Sequence, residues 1–230
     1  MSNSTIIFGG KKGIGYQIFR SLENRGDKLI SISRSNSNNN KKIKFEIGRN
    51  YSNELDKLIK HKFNYLIFAH RYRGADPIEE YKVMVLEIEK ILKILMPKFK
   101  KEASVVILGS IAYRYISDEQ SGSYHYVRGA INTLVKYLAV KYGHHGIRVN
   151  SVLPSTIIKK ENINFFKKEK KTINLVKKIT PLKRIGNSKD ISNVVEFLCS
   201  TKSSFITGQS IFVDGGESLL GHEKVAKLFD

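Results

Sequence analysis

The chain contains 230 residues and carries a formal net charge of +19, with 40 Lys and Arg against 21 Asp and Glu. A chain of this length can bury one full hydrophobic core, and its apolar runs are shorter than the roughly 20 residues of a transmembrane helix. The single Cys199 excludes an internal disulfide, and no group of Cys and His has the spacing of a zinc site.

The N-terminus enters an apolar run at Thr5 without a preceding signal segment, so we expect a soluble, cytoplasmic protein with no membrane partner. The basic charge is also typical of nucleic-acid binding. However, the lysines are scattered through predicted helices and loops, and no zinc-finger or RNA-binding aromatic motif occurs. We therefore expect a solvated basic surface and no nucleic-acid partner.

Short apolar runs alternate with amphipathic stretches along the chain, and no linker or repeat divides it. The predicted strands cover residues 5–8, 28–33, 44–47, 65–69, 104–108, 147–153 and 210–213. The predicted helices cover a stretch after Gly15 that stops at Gly26, then 53–62, 79–95, 124–142 and 190–198. This alternation predicts an α/β fold: a doubly wound, Rossmann-like parallel sheet with helices on both faces, in a single domain over residues 1–230. Right-handed crossovers place the strand ends at one edge, where ligands bind.

Gly9, Gly13 and Gly15 lie in the turn between the first strand and the first helix. Glycines allow a tight turn and the close approach of a ligand, and the helix N-terminus presents free N–H groups to a phosphate. The spacing G-x-x-x-G-x-G differs from the usual G-x-G-x-x-G fingerprint. The turn predicts a pyrophosphate site, and a glycine turn needed only for packing is the alternative.

Tyr124 and Arg128 are four residues apart on a predicted helix, so their side chains lie on one face. A phenol has a pKa of about 10, which a fixed positive charge nearby lowers. This pair suits proton exchange with a substrate hydroxyl, although an ordinary surface contact has the same spacing.

The chain resembles the short-chain dehydrogenase/reductase family over nearly its full length, because six motifs occur in the family's order. They are the glycine turn at 9–15, Val-Val-Ile-Leu-Gly-Ser at 105–110, Tyr-x-x-x-Arg at 124–128, the run at 146–154, the run at 181–186 and the segment 206–216. The resemblance implies a nicotinamide-dependent oxidoreductase.

The resemblance also implies the roles of three residues. Tyr124 would be the general acid for carbonyl reduction or the base for alcohol oxidation, and Ser110 would bind the same substrate oxygen. Arg128 occupies the family's lysine position, where the cation lowers the tyrosine pKa and binds the nicotinamide ribose.

The cofactor positions follow from the same resemblance. The glycine turn would hold the pyrophosphate, Glu46 and Ile47 would contact adenine, and the backbone at Ile157 would meet the carboxamide. The full set is Gly9, Lys12, Gly13, Ile14, Gly15, Arg34, Glu46, Ile47, Ala69, Tyr124, Arg128, Pro154 and Ile157.

Charge favours NADP over NAD as the cofactor. NAD-dependent members of the family carry an acid at the end of the second strand, where this chain has Ser33 followed by Arg34. Lys12 precedes the second glycine of the turn. Two cations without an acid suit the 2′-phosphate of NADP. The alternative is that both cations simply belong to a chain rich in basic residues.

Two departures from the family pattern affect proton return. Arg128 replaces a lysine and keeps the charge, but its pKa forbids a proton relay. Met84 stands where the family has an asparagine that positions a relay water, and a thioether cannot hold that water.

A third departure follows the fourth strand, where residues 68–71 replace the family's Asn-Asn-Ala-Gly motif. Its bulky side chains would crowd the adenosine, or Arg71 would supply a phosphate contact. His70 is either a replacement proton carrier or a structural histidine. The following segment to Met84 is shorter than the family norm, which would open the side wall of the site. His125 points around the helix from Tyr124 and is interpreted as a bystander.

Residues 155–180 take the place of the family's substrate lid. Phe165 and Phe166 would dock on the core, with the lysines facing outward. The charge of this segment suggests an anionic substrate, such as a phosphorylated, carboxylated or nucleotide-linked compound, and a solvated amphipathic helix is the alternative.

The leading hypothesis is an NADP-dependent oxidoreductase that works through Ser110 and Tyr124. The alternative is a non-catalytic relative that acts as a dinucleotide sensor or an assembly subunit, since several family positions are altered together. By resemblance we expect a homo-oligomer, a tetramer or a dimer, formed through the helices 79–95 and 124–142 and the last strand. The tail 217–230 would cap that interface or a neighbour's site.

Overall fold

The structure, a computed structural model, describes residues 2–33, 42–44, 55 and 61–228. Its strands are β1 (Ser4–Phe8), β2 (Lys28–Ser33), β3 (Lys42–Lys44), β4 (Phe63–Phe68), β5 (Phe99–Leu108), β6 (Arg148–Pro154), β7 (Ile157–Ile158), β8 (Gly186–Asn187) and β9 (Ser210–Val213). Seven of them form one sheet in the order β3-β2-β1-β4-β5-β6-β9, and each neighbouring pair is parallel. The predicted doubly wound parallel sheet is confirmed.

The helices cover both faces of this sheet. They are α1 (Gly13–Asn24), α2 (Pro77–Tyr81), a π-helical segment (Lys82–Leu86), α3 (Glu87–Leu95), α4 (Gly122–Gly143), α5 (Ile163–Lys168), α6 (Lys170–Ile179), α7 (Ser188–Leu198) and α8 (His222–Ala226). The predicted helix 79–95 is therefore interrupted by a π-helical segment. The predicted strand 44–47 and helix 53–62 lie mostly outside the described residues, although Leu55 is helical and buried.

The core consists of two apolar layers, one on each face of the sheet. Because side chains alternate along a strand, Ile6 and Phe8 of β1 enter one layer and Ile7 enters the other. The first layer packs against α3 and α4, and the second packs against α1 and α7. Burial of each such aliphatic side chain contributes about 1.5–3 kcal/mol. The sheet is thus covered on both sides, as the near-continuous apolar runs predict.

Asn150 and Arg148 give the motif at 146–154 a structural explanation. The Asn150 amide donates to the carbonyl of Ile206 at 2.8 Å and accepts from the N–H of Gln209 at 3.0 Å. The Arg148 guanidinium donates to the carbonyls of Leu198 and Ser200 at 3.0 and 3.1 Å. These hydrogen bonds tie β6 to the chain that leads into β9, so the motif serves the fold.

The carboxyl ends of the central strands define one crevice. The strand order reverses between β1 and β4, and such a reversal is where ligands bind in this type of sheet. The N–H of Ala69, after β4, donates to Phe8 at 2.8 Å, and that of Gly109, after β5, donates to Val152 at 2.9 Å. Three segments therefore lie side by side at these strand ends: the glycine turn, residues 69–71 and Ser110. Within the described part of the chain, no helix is both long and apolar enough to cross a membrane.

Candidate active site

The glycine turn packs directly against the backbone that follows β4. Gly9 has a φ of +89°, and a Cβ atom there would lie 2.6 Å from the backbone nitrogen of His70. A Cβ atom on Gly15 would collide with the carbonyl oxygen of Gly9. Packing thus requires glycine at both positions. Gly13 differs, because it has space for a Cβ but has a φ of +56°.

The N–H of Gly13, which has no partner within its helix, donates to a carboxylate from the segment that follows β6. It donates to Oε1 of Glu161 at 2.7 Å. Helix α1 has no acidic residue in its first turn, and Lys12 at its N-cap position makes no side-chain capping bond. A helix N-terminus attracts anions, and here a carboxylate occupies the position that the sequence assigns to a phosphate. The turn therefore fits the pyrophosphate of a dinucleotide.

Tyr124 lies on α4 beside Ser110, which follows the end of β5. Ser110 begins a short 3₁₀ turn (Ile111–Tyr113), and its Oγ accepts from the N–H of Ala112 at 3.2 Å. Tyr124 is half-buried. Burial raises the pKa of its phenol. The charge of Arg128, hydrogen bonds with Ser110 and Arg128, and the charge of Arg71 lower it. These lowering effects outweigh burial, so the pKa lies below its ordinary value. The phenol is thus adapted to exchange a proton.

The guanidinium of Arg128 lies under the phenol ring. Its central carbon is 4.6 Å from the ring centroid, and the residue is only 4% exposed. Its Nε and Nη1 atoms are buried and have no hydrogen-bond partner among the described residues. An unpaired buried donor is unfavourable, and these donors suit the ribose hydroxyls that the family resemblance places here.

His70 and Met84 occupy the region where the family has its proton relay. Nε2 of His70 lies 3.2 Å from the carbonyl oxygen of Val83, in the π-helical segment. Burial lowers the pKa of His70 to about 4, so the ring is neutral at pH 7. Met84 is buried in the core layer. The geometry favours the structural role for His70 over the proton carrier.

His125 contributes more than its interpretation as a bystander suggests. Its ring nitrogens lie 2.9 Å from the carbonyl oxygen of Ala112 and 3.0 Å from that of Ser117. The side chain therefore holds the loop that follows Ser110 against α4. Sequence reasoning missed this contact because its partners are backbone atoms of a loop.

The residues that replace the Asn-Asn-Ala-Gly motif do not act as a unit. Phe68 is 1% exposed and stacks on Phe8 with 5.2 Å between ring centroids, so it belongs to the core and does not crowd the adenosine. Ala69 contacts the turn beside Gly15. Arg71 extends over Tyr124, with its guanidinium carbon 5.5 Å from the ring centroid. For the turn itself, crowding of the adenosine and a phosphate contact from Arg71 both stay predictions.

Of the remaining predicted cofactor positions, three are described by the structure and three are not. Pro154 ends β6 and is buried. The side chain of Ile157 is also buried, and its backbone carbonyl accepts from the side-chain amide of Asn162 at 3.0 Å. Ile14 packs against the core layer beneath α1. The predicted contacts at Arg34, Glu46 and Ile47 lie outside the described residues.

The segment 155–180 forms α5 and α6. Phe166 is buried, as expected, but Phe165 is 56% exposed, so docking of both rings is wrong. The lysines of the two helices face solvent, whereas Lys159, ahead of them, is half-buried. Burial and the charge of Arg71 lower the pKa of Lys159.

Comparisons with known proteins agree with this fold. A family model described as enoyl-(acyl carrier protein) reductase matches residues 84–218. A tropinone reductase homolog of Arabidopsis thaliana is 29% identical over 254 aligned positions, with 97% of this chain and 95% of the homolog covered. Glucose 1-dehydrogenase of Gluconobacter oxydans is 34% identical over 116 residues, which cover 50% of this chain and 43% of that enzyme. In shorter matches of this kind, the chain spans about half the length of the curated relatives.

Solved structures extend the likeness to the whole fold. A short-chain dehydrogenase family protein from Francisella tularensis has a TM-score of 0.82 and 28% identity, with 96% of this chain and 100% of that chain covered. Aldohexose dehydrogenase of Thermoplasma acidophilum, in its ligand-free form, has a TM-score of 0.85 at 22% identity, with 96% of both chains covered. The second likeness supports the fold alone.

The substitution Arg128→Met should raise the pKa of the Tyr124 phenol above its wild-type value. The phenol stays buried, which raises its pKa, while the positive charge of Arg128, the largest effect that lowers it, is lost. The measurement is phenolate absorbance as a function of pH, with the curve of Tyr124→Phe subtracted to remove the other tyrosines. Arg114→Met is the control, because Arg114 lies over the ring of Tyr115. An unchanged or lowered pKa in Arg128→Met would contradict the account.

Proposed function

Because the chain belongs to the short-chain dehydrogenase/reductase family, we propose that it is an NADP-dependent oxidoreductase acting on a carbonyl or alcohol substrate. One observation carries the proposal. The phenol of Tyr124 lies beside Ser110 and above the buried guanidinium of Arg128. The nicotinamide would supply the hydride in reduction and accept it in oxidation.

In reduction, Tyr124 donates its proton to the substrate oxygen as negative charge develops there. The Ser110 hydroxyl donates a hydrogen bond to the same oxygen and stabilises that charge. The phenolate that remains is stabilised by Arg128, whose free N–H groups would also bind the ribose of the cofactor. In oxidation, the phenolate accepts the proton of the substrate hydroxyl.

Proton return takes a simpler route than in the family pattern. Arg128 cannot release a proton, Met84 has no exchangeable proton, and Nε2 of His70 is held at the carbonyl oxygen of Val83. However, Tyr124 is only half-buried, and Arg71 beside it is exposed. We infer that the phenol exchanges its proton directly with solvent, so the two altered positions are compatible with turnover.

The preference for NADP rests on Lys12 and Arg34. Lys12 is exposed at the N-cap of α1, next to the turn, and Arg34 follows β2 in the sequence. Two cations without an acid would attract the 2′-phosphate, which NAD lacks. NAD remains the second cofactor of the proposal.

One observation favours the alternative of a non-catalytic dinucleotide sensor or assembly subunit. Glu161 occupies the N–H of Gly13 that a pyrophosphate would need. If a dinucleotide does not displace this carboxylate, the fold is retained without the reaction. Tyr124→Phe separates the two functions, as described below.

We also propose a homo-oligomer in the cytoplasm, without a nucleic-acid partner. Tyr126, Tyr137 and Val140 of α4 are exposed, and 55%, 49% and 83% of their surfaces reach solvent. An apolar helix face of this kind suits contact with a second copy.

Tyr124→Phe should lower kcat by about 100- to 10,000-fold, because the acid–base group is lost while the ring is retained. The measurement is NADPH consumption with the carbonyl compound that the wild type reduces fastest in a screen. NADPH affinity, measured by calorimetry, should stay within about twofold of the wild type, since Phe keeps the packing. Tyr126→Phe, on the exposed side of the same helix, is the control. Undiminished turnover in Tyr124→Phe would remove the catalytic proposal.

Glu161→Gln should tighten NADPH binding by about tenfold, because a carboxylate both competes for the Gly13 N–H and repels the pyrophosphate. The measurement is calorimetric titration with NADPH at low salt. Glu169→Gln removes another acid from the same segment and should leave the affinity unchanged. Equal or weaker binding by Glu161→Gln would show that the carboxylate does not compete with the cofactor.

A further inference from the structure

A chain of hydrogen bonds runs from the backbone of Tyr124 to a carboxylate on another helix. The N–H of Tyr124 donates to Oγ of Ser121 at 3.2 Å, and this Oγ lies 2.9 Å from Oγ of Ser123. The Ser123 hydroxyl donates to Oε2 of Glu80 at 2.8 Å. Glu80 lies on α2, 43 residues before Ser123 in the sequence. The start of α4, which carries the proposed acid–base group, is therefore bonded to a separate part of the fold.

The polarity of this chain follows from its donors and acceptors. An ionised carboxylate can only accept a hydrogen bond, so the single proton of the Ser123 hydroxyl is donated to Glu80. Ser121 must then be the donor in the contact between the two serines, while its oxygen accepts from the N–H of Tyr124. Every bond of the chain therefore points towards the carboxylate, and bonds aligned in this way strengthen one another.

Glu80 is buried without a cation. The residue is 7% exposed and Ser123 is 9% exposed, and among the described residues the Glu80 carboxylate forms no ion pair. Burial of a charge is unfavourable unless hydrogen bonds or dipoles oppose its cost. Helix α4 has no acidic residue in its own first turn, and a helix N-terminus favours a negative charge nearby. The carboxylate of Glu80 supplies that charge from outside the helix.

The first turn of α4 depends on this support. Tyr124 is the third residue of the helix, and helix ends fray. Gly122, the first residue, has open space where a Cβ atom would lie, and its φ is not positive. Neither packing nor backbone conformation therefore requires glycine there, and glycine weakens a helix because it loses more conformational entropy than alanine. Contacts from other elements must hold the turn that carries the phenol.

The helix that carries Glu80 is itself held in place. Asp76 caps its N-terminus by accepting from two backbone N–H groups. The π-helical segment directly after α2 is held from the other side, since Nε2 of His70 lies 3.2 Å from the carbonyl oxygen of Val83. The backbone of His70 packs in turn against Gly9 of the glycine turn. Glu80 therefore relates the start of α4 to the strand ends where the dinucleotide would bind.

We propose that Glu80 is a positioning residue for Tyr124. Through the two serines it holds the first turn of α4 where the phenol meets the substrate oxygen. The proposal rests on the proposed function, because the position of the phenol matters for turnover only if Tyr124 is the acid–base group. Glu80 acts through the helix and takes no part in proton transfer. A displacement of about 1 Å in a reacting group can lower the rate about 100-fold, whereas a contact that only packed α2 against α4 would change stability alone.

Removal of either side chain from the bond between Ser123 and Glu80 should lower turnover. Glu80→Ala and Ser123→Ala should each reduce kcat by about 10- to 100-fold, while NADPH affinity, measured by calorimetry, stays within about twofold of the wild type. Glu80→Gln keeps an oxygen that accepts from Ser123, so its kcat should stay within about threefold of the wild type. Turnover is NADPH consumption with the carbonyl compound that the wild type reduces fastest. Glu79→Ala, which removes an acid of α2 that pairs with Lys82, should leave kcat unchanged. Undiminished kcat in both Glu80→Ala and Ser123→Ala would overturn the proposal.

The pKa of the Tyr124 phenol gives a second readout that needs no substrate. In Glu80→Ala this pKa should rise towards its ordinary value of about 10, because a loosened first turn takes the phenol away from the charge of Arg128. In Glu80→Gln it should stay at the wild-type value. The measurement is phenolate absorbance as a function of pH, with the curve of the same variant carrying Tyr124→Phe subtracted.

The two readouts separate the possible failures. A lowered Tm in Glu80→Ala and Ser123→Ala with an unchanged phenol pKa would show a bond that only packs two helices, and the positioning role would fall. Ser123→Ala removes the same bond with a smaller loss of volume, so it decides the question if Glu80→Ala does not fold. If the wild type reduces no carbonyl compound, the proposed function fails, while the phenol pKa still decides whether Glu80 positions Tyr124.

Discussion

The contact between the buried guanidinium of Arg128 and the ring of Tyr124 is the interaction on which the site depends. The guanidinium is almost completely removed from solvent, yet two of its nitrogen atoms have no partner among the described residues. A buried cation with free donors is retained only where something opposes its cost. Here the face of the Tyr124 ring stabilises the positive charge by a cation–π contact. The hydroxyls of a ribose would accept hydrogen bonds from the free donors. The same charge lowers the pKa of the phenol against the effect of burial.

Much of the fold could be predicted from the sequence because the relevant forces are local. The bounds of β2 and β9 match the predicted strands at 28–33 and 210–213, because short runs rich in Ile, Leu, Val and Phe favour strands. The π-helical segment at Lys82–Leu86 could not be predicted, because its apolar residues fit an ordinary helix equally well. In the segment 155–180, where a solvated amphipathic helix is one of the two expectations, the structure contains two helices, α5 and α6.

The grouping of Ser110, Tyr124 and Arg128 could be predicted from the sequence, whereas the other contacts of the candidate site could not. The spacing of Tyr124 and Arg128 fixed their common face, and the resemblance added Ser110. Contacts between residues far apart in the chain left no such pattern. Glu161 reaches Gly13 across 148 residues, and His125 holds a loop through backbone carbonyls. Phe68 lies both in the predicted strand 65–69 and in the motif at 68–71, and its burial in the core shows that it belongs to the strand. Such contacts depend on how the elements pack.

Glu161 and Lys159 both lie at the glycine turn. Oε1 of Glu161 accepts from the N–H of Gly13, and Cδ of Lys159 is 3.4 Å from the point where a Cβ atom of Gly13 would lie. The charge of Glu161 opposes the lowering of the Lys159 pKa by burial and by neighbouring cations. Displacement of this carboxylate by a pyrophosphate would therefore also change the charge around Lys159.

Calorimetric titration of the wild-type protein with NADPH and with NADH tests the central claim most directly, because acid–base chemistry at Tyr124 requires a nicotinamide dinucleotide at the glycine turn. The account predicts saturable binding of both, with NADPH the tighter ligand because Lys12 and Arg34 favour a 2′-phosphate. Tighter binding of NADH would contradict the charge argument. Binding of neither dinucleotide would contradict the catalytic account itself.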